Sequence, residues 1–193
     1  FRRLSEIEAG LPQSAPDAAS ARLVEVITAD LRHRGAALDA RSQTRLGEIE
    51  ARLAALRGQF GANVMAQEAE LAVFVADEAR LSGLTPAQVS AASAEAERRG
   101  RPGEYAIALR RPSVWPVLQF ADDRALREEV WTLWIERGGF DGENDNAPVM
   151  SEILSLRGEK AQLLGYENFA DYQTAVRMAG TPERPLELLE DSW

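Results

Sequence analysis

No cysteine occurs in this chain, and histidine occurs once, as His33. The first absence excludes disulfides and thiolate metal sites and fits a reducing compartment, so the expected location is the cytoplasm. The second excludes any site that needs two imidazoles. His33 stands between Arg32 and Arg34; these charges disfavour its protonation, repel a cation and leave no serine with a triad partner. It reads as an ordinary surface or interhelix residue. Phosphate loops are missing too: Gly58, Gly61, Gly83 and Gly100 fall in neither G-x-x-x-x-G-K-[ST] nor G-x-G-x-x-G. No apolar run approaches the roughly 20 residues of a membrane helix. Positive charge is short: 22 basic against 31 acidic residues give a formal charge of −9. Neither nucleic acid nor an anionic membrane is an expected partner. The first residue is Phe1 rather than methionine, so the lack of a leader there says nothing about targeting.

What is present is a folding composition, 45% apolar and 27% charged over 193 residues, long enough to bury a core. The pattern is that of an all-α chain: a long antiparallel helical hairpin, several shorter helices and one small two-stranded ribbon. The hairpin occupies residues 1–80. Phe1, Leu4 and Ile7 lie at helical spacing, and Gly10, Pro12, Ser14 and Pro16 punctuate an expected loop over 10–16. Asp17 caps a helix carrying Leu23, Val24, Ile27 and Leu31, in which Gly35 is a weak point. Leu46, Ile49, Leu53, Leu56 and Phe60 then alternate steps of three and four on one seam, predicting a helix over 40–70. Only two clean heptads are present, so a hairpin with 17–38 is favoured over a coiled coil or a homodimer through the 46–60 seam. Arg45, Glu48, Glu50 and Arg52 read as its solvated face.

Residues 81–140 hold a helix, a ribbon strand and a second helix. AVFV at 72–75 and YAIAL at 105–109 are strand-like, and the latter is expected to pair with Val73–Val75. Thr85, Pro86 and Gln88 write a capping box with a first-turn proline. Pro112 and Pro116 bracket a turn, with Val114, Trp115, Val117, Leu118 and Phe120 assigned to the core. Asp122 or Asp123 caps a helix to about Arg137. Leu126, Val130, Leu133 and Trp134 share one face of it, and Trp131 and Ile135 require cover on another.

Residues 141–193 contain two consecutive helices and the start of a third. Asn146 is placed to cap the first, Pro148 sits in its opening turn, and Gly165 is its left-handed stop. Met150, Ile153, Leu154, Leu156 and Ala161 are too widely spread for one stripe, so burial on more than one side is expected. Asn168 with Asp171 restarts a helix through Phe169, Tyr172, Val176 and Met178. Thr181–Pro182–Glu183 opens another, which Pro185 delays by removing an early hydrogen bond.

The run DN-x-x-x-x-x-EIL-x-LR-x-E-x-A-x-LLGY-x-N-F-A-x-Y, followed by MAGTP, resembles the thimet oligopeptidase and peptidyl-dipeptidase family of zinc metallopeptidases. LQFADDRALREEVWTLWIERGG resembles the family's preceding helix, and FGANVMAQEAELAVFVADEARLSGLTPAQV its upstream segment. DNAPVMSEIL and the WIERG tail at 134–138 look more like bacterial peptidyl-dipeptidases than animal oligopeptidases. The resemblance implies a zinc enzyme that hydrolyses short peptides and releases C-terminal dipeptides. It also implies an H-E-x-x-H helix, whose paired histidines hold the metal while the glutamate activates water. A chain with one histidine and no cysteine does not contain that site. The expectation is therefore a single helical N-terminal region, 1–193, that forms one wall of a peptide channel. Its partners are short peptides and the remaining catalytic region; it holds no zinc and is inactive alone. The competing reading is a non-catalytic helical scaffold of the same descent, or an endo-oligopeptidase in place of the dipeptidase.

No catalytic or metal-ligating residue is assigned, and the substrate-binding residues are unassigned. Asp77–Glu78, Asp122–Asp123 and the acidic pair at 141 and 143 lack calcium-loop spacing and read as caps and solvated groups. Arg157 with Glu152 and Glu159 reads as a partly buried ion pair fixing helix register rather than as a substrate-facing arginine. Trp115, Trp131 and Trp134 with Phe120 read as core rather than as a peptide groove.

Overall fold

The computed structural model describes residues 1–14, 17–139 and 142–193. Nine α-helices and one antiparallel pair of strands are present among them, the all-α chain with a small ribbon that the pattern predicts. The chain divides into two compact units, residues 1–55 with 151–193 and residues 56–150.

In the 56–150 unit, β1 (Ala72–Val75) pairs with β2 (Tyr105–Ala108), Val73 opposite Ile107 and Val75 opposite Tyr105. Strand alternation sends Val73 and Val75 inward. There they join Leu81, Ile107, Leu109, Val114, Val117, Leu126 and Val130 in one continuous core. α4 (Pro86–Arg98) starts with the predicted capping box, Thr85 and Gln88 each bonding the other's backbone. α6 (Arg124–Glu136) is capped by Asp123, whose carboxylate accepts from Ala125 and Leu126. The Arg80 guanidinium also reaches Asp123 at 2.7 Å, and holds its carboxyl below the usual carboxylate range.

Three local expectations for this unit give way to tertiary packing. Pro112 and Pro116 lie within a helix, α5 (Arg111–Phe120). Pro112 suits its first turn, and burial of Val114 and Val117 outweighs the one early hydrogen bond that Pro116 removes. Trp115 and Phe120 are not core; they are 46% and 57% exposed. On α6 the expected second cover is absent among the described residues, with Trp131 and Ile135 48% and 55% exposed.

In the other unit, α1 (Arg2–Ser14) packs along α2 (Ala18–His33). Helix thus runs through Gly10 and Pro12, where a loop was expected; Ala15 and Pro16 lie outside the described residues. Docking on α2, anchored by Arg32 and Glu8 at 2.5 Å, overrides the local punctuation. Asp17 caps α2 through Ser20. Thr28 is the fully buried residue of α2, while Leu23 and Ile27 remain 60% and 39% exposed. Gly35 is the left-handed stop after α2 rather than a weak point inside it. At φ +89° its added Cβ would fall 2.5 Å from Leu46, so only glycine fits this turn. α3 (Ala40–Glu70) has the predicted bounds, and its seam residues Ile49 and Leu53 are fully buried. α7 (Ala147–Leu163) stops at Gly165, φ +84°. α8 (Phe169–Thr174) is capped by Asn168 as expected, but ends early enough to leave Val176 and Met178 outside it and exposed. α9 (Glu183–Ser192) follows.

Candidate functional site

The central helix α7 is the densest meeting point of charged and aromatic side chains. On its 151–163 part, Glu152 receives Arg52 at 2.6 and 2.7 Å and Glu159 receives Arg45 at 2.6 and 2.8 Å, both bidentate. Lys160 reaches Glu50 at 2.5 Å. The arginine hydrogen bonds hold both glutamates below the usual carboxylate range. The predicted solvated face of α3 is thus its register lock on α7. All four partners of the two bidentate pairs are about half exposed, so solvent screens each pair and its contribution to stability is small. Their geometry specifies position more than it adds stability.

Arg157 departs from expectation. Glu152 and Glu159 are taken by α3, and the Arg157 guanidinium lies 5.0 Å from the centre of the Phe169 ring. Its Nε is buried without a hydrogen-bond partner among the described residues.

His33 projects from the end of α2 into a tyrosine box. Tyr172 stacks on it at 4.3 Å and 6°. The Tyr166 hydroxyl and His33 Nδ1 share a hydrogen bond of 2.9 Å. Lys160 stands 4.5 Å from the Tyr172 ring. Burial lowers the imidazole's pKa, and the Lys160 charge lowers it further; Asp30 opposes and Arg34 adds. Burial also works against charging Lys160, but hydrogen bonds to Glu50 and Tyr172 outweigh it and raise its pKa. These effects favour the neutral ring, which sits between helices; Arg34, one of the flanking arginines, contributes less than burial does. Tyr172 was readable as a helical residue and Tyr166 as part of the LLGY run, but nothing in their spacing pointed to residue 33.

In the 56–150 unit the buried polar groups are concentrated where α3 meets the start of α7. Asn146 is fully buried. Its amide donates to the Phe60 carbonyl at 3.3 Å and its oxygen accepts from Asn63 at 2.9 Å, while Asp145 receives the Ala147 amide. Asn146 therefore acts as an interhelix clamp, with its side chain spent on α3. Gln67 accepts from the Gly138 amide at 2.5 Å. Phe60, Asn63 and Gln67 continue the 49–53–56 seam in steps of four, three and four. Polar residues at buried seam positions were the readable signal for this network. The acidic pairs behave as caps and solvated groups: Asp77 caps the turn at Glu78–Leu81, Asp122 accepts from Ser82, and Glu78 pairs with the Tyr105 hydroxyl. The pair at 141 and 143 lies partly outside the described residues. Trp134 is half-buried beside Trp115, with centroids 6.1 Å apart, and carries Arg137 3.5 Å from its ring.

No group of three or more His, Asp or Glu side chains able to hold a metal occurs among the described residues. The sole imidazole has its Nδ1 bonded to Tyr166 and a lysine nearby. These residues do not fit a hydrolytic zinc. What the arrangement provides is helix positioning.

Comparison with known proteins agrees with the resemblance. The peptidase family M3 profile matches residues 117–192. Oligopeptidase A of Salmonella typhimurium is 38% identical over 90% of this chain and 26% of its own length. Oligopeptidase A of Escherichia coli is 35% identical over 99% of this chain and 28% of its own length. Dipeptidyl carboxypeptidase of Escherichia coli is 29% identical over 91% and 26%. The chain spans about a quarter of the length of the curated relatives it matches. Nearly the whole chain aligns with these oligopeptidase A proteins, and its DN-to-Tyr172 run lies inside the match to the peptidase family M3 profile.

Proposed function

We propose that this chain is a peptide-channel wall of a zinc-dependent oligopeptidase whose metal ligands lie outside these 193 residues. The observation that carries the reading is 38% identity to an oligopeptidase A in a sequence with one histidine and no cysteine. In this role the chain positions and sizes the substrate: short, extended peptides enter and folded proteins are excluded by width. A zinc ion held by residues outside this chain would supply the water activation. The partners are short peptides and the catalytic region, and the cytoplasm is the compartment that suits a cysteine-free chain.

Internal cleavage of oligopeptides is favoured by the higher identity to the oligopeptidase A proteins. Release of C-terminal dipeptides is the second reading, favoured by DNAPVMSEIL and by the 29% identity to a dipeptidyl carboxypeptidase. A chimera tests both. This chain replaces the matching stretch of Escherichia coli oligopeptidase A, beside a version with the stretch deleted. The chimera is expected to cut an unstructured peptide, which the deletion cuts far more slowly. Mass spectra distinguish internal fragments from successive C-terminal dipeptides. Equal rates in the deletion would sink the wall reading and favour a non-catalytic scaffold.

A further inference from the structure

A sheet edge leaves backbone donors and acceptors unpaired, which makes it a template for another strand. The two edges of this ribbon differ. α4 lies along β2, whose Ala106, Ile107 and Ala108 are 2, 3 and 2% exposed. β1 has β2 on one side and, among the described residues, no strand on the other. Apart from that ladder, no backbone hydrogen bond from another described element reaches Ala72–Val75. In an antiparallel pair, alternate residues turn their N–H and C=O groups away from the partner. β1 therefore presents a short outward row of them.

Beside that edge runs an open groove of about 750 Å³, between β1 and α6. It follows α6 from Ala125 to Glu136, roughly 16 Å of helix and about the length of five residues of extended chain. Phe74 and Leu133 supply apolar lining, and Glu128, Glu129 and Glu136 supply charge. Arg101 is committed internally, 4.1 Å from the Phe74 ring centre and 2.8 Å from Glu104. Glu129 shares Arg80 at 3.4 Å. Glu128 and Glu136 are exposed and have no ion-pair partner among the described residues. The groove thus pairs an unfilled strand edge with uncompensated negative charge.

The geometry points to a docking site for an extended, basic peptide segment that adds to β1 as a third strand. Backbone pairing selects an extended chain without regard to sequence, and the carboxylates select lysine or arginine at every second position, because alternate side chains share one face. The assignment goes beyond the channel-wall reading and does not depend on it, since it is read as binding without catalysis.

The test titrates the full 193-residue chain into fluorescein-labelled Lys-Val-Lys-Val-Lys-Val and follows anisotropy. Companion peptides carry glutamate for lysine, or N-methyl groups on alternate residues. Companion proteins carry Glu128→Lys with Glu136→Lys, both exposed, with the urea midpoint confirming that they fold. Saturable binding is expected, weakened about tenfold or more by one N-methylated set and by the charge reversals, and lost with the acidic peptide. Undiminished binding of both N-methylated sets would reduce the interaction to charge alone and overturn the strand addition. Undiminished binding by the double variant, or no binding up to the peptide's solubility limit, would overturn the site. A self-associated chain that excludes the peptide and dissociates in the double variant would assign the edge to a second copy instead.

Discussion

Replacing Asn146 with aspartate separates capping from clamping. At a helix N-terminus the two residues are nearly equivalent, so a cap would lose a few tenths of a kcal/mol. In the structure the side chain is 0% exposed, donates to the Phe60 carbonyl at 3.3 Å and accepts from Asn63 at 2.9 Å. An ionised aspartate keeps the acceptor, loses the donor and turns an oxygen toward a carbonyl. The unmet group costs about 1–3 kcal/mol, and the buried charge adds to it. Burial raises the introduced carboxyl's folded pKa above its unfolded value of about 3.9. Between those values the native state holds more protons than the unfolded one, so stability falls as pH rises and the full penalty applies above the folded pKa. Below that window the protonated acid donates to Phe60 again. Asn146→Asp should therefore lose about 2–4 kcal/mol at pH 8 and less than about 1 kcal/mol near pH 4. Urea unfolding followed by tryptophan fluorescence reads this directly, since Trp115, Trp131 and Trp134 lie in the same unit. A loss under about 0.5 kcal/mol at pH 8, unchanged at pH 4, would refute the clamp and restore the cap.

Gly83 has φ +91° and an added Cβ would fall 1.9 Å from the Phe120 carbonyl oxygen, so Gly83→Ala should cost more than about 2 kcal/mol in the same urea assay. Arg52→Ala removes a half-exposed bidentate partner of Glu152; it should lower the urea midpoint only slightly, with the difference shrinking in 1 M salt. His33 has a folded pKa lowered first by burial and then by Lys160, with Asp30 opposing and Arg34 adding. The native state thus binds fewer protons than the unfolded one below about pH 6.5, and stability should drop as pH falls through that window. Thermal melts by circular dichroism at pH 7.5 and 5.5 should show a larger acid loss in the native chain than in His33→Asn; equal losses would remove the effect.

Legibility in the sequence followed the range of the forces involved. The 40–70 helix, the Thr85–Gln88 box, the Asn168 cap and the pairing of Val73–Val75 with the strand that starts at Tyr105 rest on local periodicity and capping, which a single sequence carries. Pro12 and Pro116 misled because packing against distant residues outweighed a local penalty. Arg157 lost its expected partners because Arg45 and Arg52, more than 90 residues away, reach Glu159 and Glu152 first. Trp115 and Phe120 show the limit of apolarity as a guide, since spacing does not say whether a neighbour covers them. Asn146 was placed at the right helix terminus with the wrong job, although Asn63 and Gln67 on the buried seam held the clue.

The central proposal is that this chain, similar to oligopeptidase A, forms a channel wall and leaves the metal to residues outside these 193. Equilibrium dialysis of the purified chain against zinc, paired with an unstructured-peptide cleavage assay, tests that most directly. The account predicts no stoichiometric zinc in the low micromolar range and no chelator-sensitive cleavage. One zinc ion held tightly per chain, with peptide hydrolysis that a chelator abolishes, would contradict it.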